Sequence, residues 1–456
     1  PIWHQEIQDI IVLKNNKGTE DNRVRKLDYS IQLSKIFYER FITNGEITLF
    51  SPHDVPGLYE SFGTEDFDEL YVKYENSDIP MKRVKAQELI LDLLKERAET
   101  GRIYLMNIDH CNSHSSFLDK VEMSNLCQEI TLPTKPIQHI DDETGEIALC
   151  ILSAVNIGKI RDLSDLEVLC DLSVRSLDEL IDFQHYPVKA AELATKARRS
   201  LGVGYIGLAH YLAKNGVKYE DQKAWELVHD LTEAFQYYLV KSTVELAKEK
   251  GACKYSDRTK YGNGILPIDT YKHDVDEIVP NKLKFDWEDL RNQVKEYGVR
   301  NSTLSAQMPS ESSSVVSNAT NGIEPPRGYL SIKKSKKGPL KQIVPGYQHL
   351  KNNYTLLWDM TSNKGYINVV AVMQKFFDQA ISGNWSYNPE HYPDNEVPVS
   401  VMAQDLLTTY KYGWKTSYYQ NTYDIKTDEI EEEKPDLNEL VTSILTEEED
   451  CESCKL

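Results

Sequence analysis

A chain of 456 residues with 40% hydrophobic and 27% charged side chains is long enough for two or three ordinary domains and reads as soluble and globular. Its formal net charge of −20, from 52 basic and 72 acidic residues, argues against non-specific nucleic-acid binding, and no apolar run approaches the ~18 residues that cross a bilayer. Seven scattered cysteines do not form a disulfide framework, and the first six residues lack a basic-then-apolar leader, so the expected compartment is the cytoplasm.

Apolar material begins early, at residues 10–13, which read as strand-like or buried. A preceding part, in cis or on another chain, is therefore expected. Leu27, Ile31, Ser34, Phe37 and Phe41 share one face of a predicted helix. Residues 46–50 read as a strand, 81–98 as a helix, and 103–108 and 126–131 as strands. Residues 177–183 belong to a helix. The clearest helix spans 221–250, is amphipathic and stops at Gly251. Helices at 368–381 and 401–412 and a strand at 417–421 follow. Helices interleaved with short apolar runs predict an α/β architecture with largely parallel strands. Residues 424–450 hold twelve acidic residues and two lysines without periodicity, the pattern of a flexible acidic tail.

Several constellations carry candidate chemistry. In extended backbone Asn125, Cys127 and Glu129 point the same way, placing an amide, a thiol and a carboxylate side by side. A half-buried strand with a chance cysteine has the same spacing. Cys150 follows an apolar run and on its own reads as an inert buried thiol. Residues 309–316, with Glu311, Ser312 and Ser313, look like a helix start whose free N–H groups and hydroxyls suit a phosphate; a plain N-cap fits equally. Arg327 lies in the loop beyond. Tyr418 and Tyr419 are adjacent tyrosines on a predicted strand, by default one inward and one outward, but also able to pass electrons. Cys451 and Cys454 form a C-x-x-C pair in the polar tail, a redox dithiol or a metal half-site. Two patterns are decoys. Residues 202–207 match G-x-G-x-x-G, with Glu220 beyond, yet no strand precedes them, and close helix packing explains the glycines better. His110, Cys111 and His114 lack a fourth ligand at metal spacing.

Taken together, the S-N-L-C-x-E core at 124–129, N-A-T-N-G-I-E-P-P-R-G at 318–328 and Y-Y-Q-N-T at 418–422 resemble the large (α) subunit of class I ribonucleotide reductases, the aerobic, diphosphate-reducing type. The likeness runs through nearly the whole chain. It implies a ten-stranded α/β barrel of two halves with the radical cysteine on a central finger loop. This chain would supply the second half over 1–309, a smaller α/β region over 310–423, and the tail over 424–456. By this resemblance Cys127 looks like the thiyl-radical cysteine that abstracts the 3′-hydrogen of the ribose. Glu129 looks like the base for the 3′-hydroxyl, and Asn125 like its companion at the ribose. Cys150 looks like one of two cysteines that reduce the 2′-position. Glu311, Ser312 and Ser313 look like the diphosphate-binding turn, Tyr418 and Tyr419 like the last radical-transfer stations, and Cys451 and Cys454 like the dithiol that re-reduces the active-site disulfide.

The implied partners are a ribonucleoside diphosphate, an N-terminal large-subunit part, a small (β) subunit whose diiron-tyrosyl centre supplies the radical, and thioredoxin or glutaredoxin. No cofactor or metal is expected on this chain itself, nor any nucleic acid or membrane partner. Nucleotide effectors would bind mainly to the absent N-terminal part. The family's ATP-binding cone, first half-barrel, effector loops and partner of Cys150 all precede residue 1, and Cys111, Cys170 and Cys253 do not match that partner's motif. The chain alone is therefore expected to be inactive. Two other readings stay open: a docking half that has lost catalysis, and a dinucleotide-dependent oxidoreductase built on residues 202–207.

Overall fold

The computed structural model describes residues 1–424 apart from 16, 18, 20, 22, 336 and 337. Its strands are β1 (Tyr29–Leu33), β2 (Glu46–Leu49), β3 (Lys82–Lys85), β4 (Ile103–Asn107), β5 (Ile151–Asn156), β6 (Leu201–Ile206), β7 (Leu330–Ser335), β8 (Gly338–Ile343), β9 (Trp385–Tyr387), β10 (Thr416–Ser417) and β11 (Gln420–Thr422). β1 pairs with β4, β5 with β6, and β9 with β11, all parallel. β2–β3, β7–β8 and β4–β10 are antiparallel. Parallel pairing with helical crossovers agrees with the expected α/β class.

The site is organised by a parallel array that continues from β5 and β6. β6 bridges to Ser305, and Gln307 in turn bridges to Ile381, both parallel. Two glycines allow this close approach. A Cβ on Gly202 would lie 2.9 Å from the Cys150 sulfur, and one on Gly204 would lie 2.7 Å from the Ala306 carbonyl oxygen. Residues 202–207 are thus mostly strand, and Gly202 and Gly204 serve close approach to neighbouring extended backbone rather than to a helix. That arrangement removes the phosphate-cradling turn a dinucleotide site requires.

The helix Gln222–Lys250 starts at Asp221 in extended backbone and stops at Gly251, whose φ is +84°. Its inner face buries Val228, Leu231, Phe235 and Leu239 and packs on the helix Asp165–Phe183. That second helix extends the expected 177–183 segment and shows an apolar outer face, with Val168, Leu172, Leu180 and Phe183 exposed. Among the described residues no strand pairs with the free edge of β5, and no helix is long and apolar enough to cross a membrane.

Several sequence expectations are corrected. Of the strand-like or buried reading of 10–13, the buried alternative holds at Ile11, while residues 7–11 are helical. The predicted helix through Leu27 and Phe41 is β1 followed by the helix Lys35–Thr43, broken at Ser34 in extended conformation. Ile31 and Leu33 are buried with the period of a strand, which mimics part of a helical stripe. The 81–98 segment divides into β3 and the helix Ala86–Thr100. The 368–381 helix is Lys364–Gln374. Beyond it the Asp378 carboxylate accepts the backbone N–H groups of Leu304 and Ser305 at 2.9 Å each, and this non-local pairing overrides local helical propensity. Residues 126–131 form no strand, and the 417–421 strand is divided into β10 and β11 by Tyr418 and Tyr419.

Candidate active site

Cys127 lies in a tight turn, not a strand. The Asn125 N–H donates to the Ile130 carbonyl at 3.2 Å, and the Asn125 side-chain oxygen accepts the Ile130 N–H at 3.0 Å. The Gln128 N–H closes onto the Asn125 carbonyl at 3.2 Å, and Gln128 adopts a left-handed φ of +71°. An asparagine that bonds its own turn on both sides is a common loop-closing device. The turn leaves Cys127 partly exposed and buries Gln128 and Glu129. The shared strand face is therefore corrected to a shared turn. Its members still meet, since the Asn125 side chain acts on the Glu129 carboxyl, lowering its pKa against the effect of burial.

One strap, residues 377–383, holds this turn in place. The Ser382 hydroxyl lies 2.5 Å from the Cys127 carbonyl oxygen and 3.2 Å from a Glu129 carboxylate oxygen. The Ala380 N–H donates to the Glu129 carbonyl at 3.0 Å. The Gln379 side-chain oxygen accepts the Thr131 N–H at 3.3 Å, while its amide nitrogen lies 3.6 Å from the Cys150 sulfur. From the other side, the Thr416 hydroxyl donates to the Gln128 carbonyl at 2.9 Å. Burial raises the Glu129 carboxyl above its usual range, opposed by the hydrogen bonds of Asn125 and Ser382. Burial likewise raises the Cys127 thiol, and it pushes the Cys150 thiol up to about 12.

Tyr418 and Tyr419 lie in the break between β10 and β11. The Tyr418 hydroxyl donates to the Cys127 sulfur at 3.5 Å. The two tyrosine rings are 3.9 Å apart at 39°. Their carbonyls accept from the buried Arg97 guanidinium at 2.8 and 3.3 Å, which ties the pair to the helix Ala86–Thr100. Tyr104 of β4 completes a cluster of phenols, its ring 4.8 Å from that of Tyr418 and 5.9 Å from that of Tyr419. Burial raises the pKa of Tyr418, and bonds to Tyr419 and Cys127 raise it further. The arrangement is a continuous phenol–thiol contact beside a buried carboxylate, with a second thiol, Cys150, facing the same strap through Gln379.

A family model described as the barrel domain of ribonucleotide reductase matches residues 1–420. The chain belongs to that family. It is 59% identical over 430 residues to the ribonucleoside-diphosphate reductase subunit alpha of Haemophilus influenzae, a match covering 93% of this chain and 57% of that protein. The ribonucleoside-diphosphate reductase 1 subunit alpha of Escherichia coli is 53% identical over 464 residues, covering 100% of this chain and 60% of that protein. The ribonucleoside-diphosphate reductase subunit alpha of Enterobacteria phage T4 is 44% identical over 468 residues, with the same coverage. The chain thus spans about three fifths of the length of these relatives.

In this ribonucleotide reductase chain, Glu311, Ser312 and Ser313 are exposed in the first turn of the short helix Glu311–Val316. That helix follows the extended segment beside β6, near the carboxyl ends of β5 and β6. The Asn156 amide at the end of β5 donates to the Ser317 carbonyl at 3.3 Å. Crevices at the carboxyl ends of parallel strands are where α/β sheets receive ligands. Arg327 is exposed and lies over the Trp358 ring. Cys451 and Cys454 lie outside the described residues. His110 and His114 aim ring nitrogens at the Trp414 and Gln374 carbonyls, at 3.0 and 2.7 Å, which is a structural use. Among the described residues no cluster of His, Cys, Asp and Glu could hold a metal ion.

Sequence reasoning missed Tyr104, Arg97, Gln379, Ser382 and Lys415. Tyr104 looked like an ordinary strand aromatic, and Gln379 fell in a predicted helix. The fully buried Lys415 donates to the carbonyls of Phe377, Asp378 and Gln379 at 3.3, 2.9 and 2.8 Å, tying β10 to the strap. No local pattern announces such partners, because each acts across a long sequence separation.

Proposed function

We propose that this chain carries the radical and reductive chemistry of a class I ribonucleoside-diphosphate reductase, acting within a larger assembly. The observation that carries the reading is the 3.5 Å hydrogen bond from Tyr418 to the Cys127 sulfur, next to Glu129. Tyr419 and then Tyr418 lose an electron and a proton in turn. The Tyr418 phenoxyl takes a hydrogen atom from Cys127, leaving a phenol and a thiyl radical. This step needs protonated donors. The raised thiol and phenol pKa values keep Cys127 as S–H and Tyr418 as O–H at neutral pH.

Cys127 then abstracts the ribose 3′-hydrogen, and Glu129 accepts the 3′-hydroxyl proton, with Asn125 fixing its carboxylate. A carboxylate with a raised pKa is the stronger base. Cys150 and a second cysteine outside this chain reduce the 2′-position and end as a disulfide. Glu311, Ser312 and Ser313 receive the diphosphate. Cys451 and Cys454 return the reducing equivalents, recharged by thioredoxin or glutaredoxin. The radical comes from a small subunit with a diiron-tyrosyl centre, and effectors bind mainly to an N-terminal part. That part would complete a barrel of which this chain is the second half, with the turn at Cys127 as its finger loop. The free edge of β5 and the exposed Leu172 and Phe183 support such a completion.

The test is reconstitution. Mixed with the N-terminal part and the small subunit, the chain should convert ribonucleoside diphosphate to deoxyribonucleoside diphosphate. Omitting the small subunit should abolish product. A complex that assembles but forms no product would favour the docking half that has lost catalysis.

A further inference from the structure

Gln379 has each polar atom of its side chain committed. One amide N–H donates to the Leu201 carbonyl at 2.9 Å and the other faces the Cys150 sulfur at 3.6 Å. The amide oxygen accepts the Thr131 N–H at 3.3 Å. Rotating the amide by half a turn would oppose two carbonyl oxygens at Leu201 and two N–H groups at Thr131. The orientation is therefore set by the network. The backbone is pinned as well: the Gln379 N–H donates to the Ser305 carbonyl at 3.1 Å, and its carbonyl accepts from Lys415 at 2.8 Å and from Gln374 at 2.9 Å. The side chain is fully buried. A glutamine held this rigidly presents one N–H to a sulfur that otherwise has apolar and acidic surroundings. Leu152 and the bare backbone of Gly202 lie beside the sulfur, and the Glu129 and Asp378 carboxylates act against negative charge on it.

We propose that Gln379 is a catalytic hydrogen-bond donor to Cys150, placed to stabilise the thiolate that forms when a disulfide through Cys150 is opened. The proposal rests on the role given to Cys150 above. In that step an external thiolate, from a dithiol, attacks the partner sulfur. A new S–S bond forms there, and the old one breaks with its electron pair on the Cys150 sulfur. The thiolate then takes a proton from solvent. The dithiol ends oxidised and the active-site pair reduced. Exchange is faster when the leaving thiolate is better stabilised. An N–H aimed at the sulfur binds the developing anion more strongly than the neutral disulfide, the kind of differential stabilisation that accelerates a step. Burial of Cys150 works against the anion, and Gln379 is the donor that offsets it.

The test compares the full chain with Gln379→Met, which keeps the length and removes both N–H groups. Gln379→Asn, which withdraws the donor but remains polar, serves if the first variant does not fold. Cys150 alkylation by iodoacetamide is followed across pH by mass spectrometry of its peptide. The expected result is about tenfold slower alkylation at each fixed pH below the thiol's titration. An unshifted profile in a folded variant would overturn the donor role. In the reconstituted complex, multiple turnover should slow about tenfold, clearly more than a single turnover of pre-reduced enzyme. Equal loss in both would mean that Gln379 only positions the site, which overturns the catalytic assignment. Shifted alkylation with unchanged multiple turnover would leave the hydrogen bond standing and remove Cys150 from the proposed exchange.

Discussion

Glu129 is a carboxylate 2% exposed, held between the Asn125 amide and the Ser382 hydroxyl. Burial raises its pKa above the ordinary 4.5, and the two hydrogen bonds only partly reverse this. The sign of the consequence is fixed. As the proposed proton acceptor Glu129 must be ionised, so activity is lost as pH falls through the raised value. In folding, the unfolded chain deprotonates first, so this group's contribution to stability falls as pH rises across the same window. We expect the acid limb of kcat against pH in the reconstituted complex to lie above pH 4.5. Glu129→Gln should lower kcat by roughly 10²–10⁴-fold and abolish that limb. An unchanged limb in the variant would assign it to another group. At this scale the chemical types were legible, because Asn125, Cys127 and Glu129 form a short linear motif. The geometry was not legible: alternation suggested a strand, while Asn125 bonding its own turn and the positive φ of Gln128 make a loop.

The strap at 377–383 is the element on which the site depends. It touches Cys127, Glu129 and Cys150, and the Gly383 carbonyl accepts the Tyr418 N–H at 2.8 Å. Lys415 anchors it through three carbonyls. Phe377 and Gln379 keep a second donor in the Gln374 amide, so removing the ammonium chiefly strands the Asp378 carbonyl. Burial lowers the Lys415 pKa to about 7, so Lys415→Met should cost about 2 kcal/mol, the scale of one lost hydrogen bond and its orphaned buried acceptor. The denaturant midpoint should fall with an unchanged slope. An unmoved midpoint would show that the ammonium does not hold the strap. Long periodic helices such as Gln222–Lys250 and Val399–Lys411 were legible in sequence, because one buried stripe and clear ends define them. The strap was not. Its apolar residues continue the preceding helix pattern, and only pairing with residues 304–307 takes it out of the helix.

At the scale of the whole molecule, the chain covers about three fifths of its relatives' length, and one of its helices exposes an apolar face. Phe183 is 88% exposed and Val168 62%, on a helix next to the open edge of β5. Family membership was legible from motifs spread along nearly the entire chain. The identity of whatever covers that face was not, since an exposed apolar stripe specifies burial without specifying a partner. In the proposed function the radical relay, the carboxylate and one of the reducing thiols lie on this chain, and the remainder comes from the assembly. The most direct measurement is deoxyribonucleotide formation by the reconstituted complex carrying Cys127→Ser, with assembly and melting temperature matched to wild type. The account predicts no product above background, because a serine hydroxyl cannot replace the thiol as hydrogen-atom carrier. Residual turnover above background would contradict the assignment of Cys127 as the radical site.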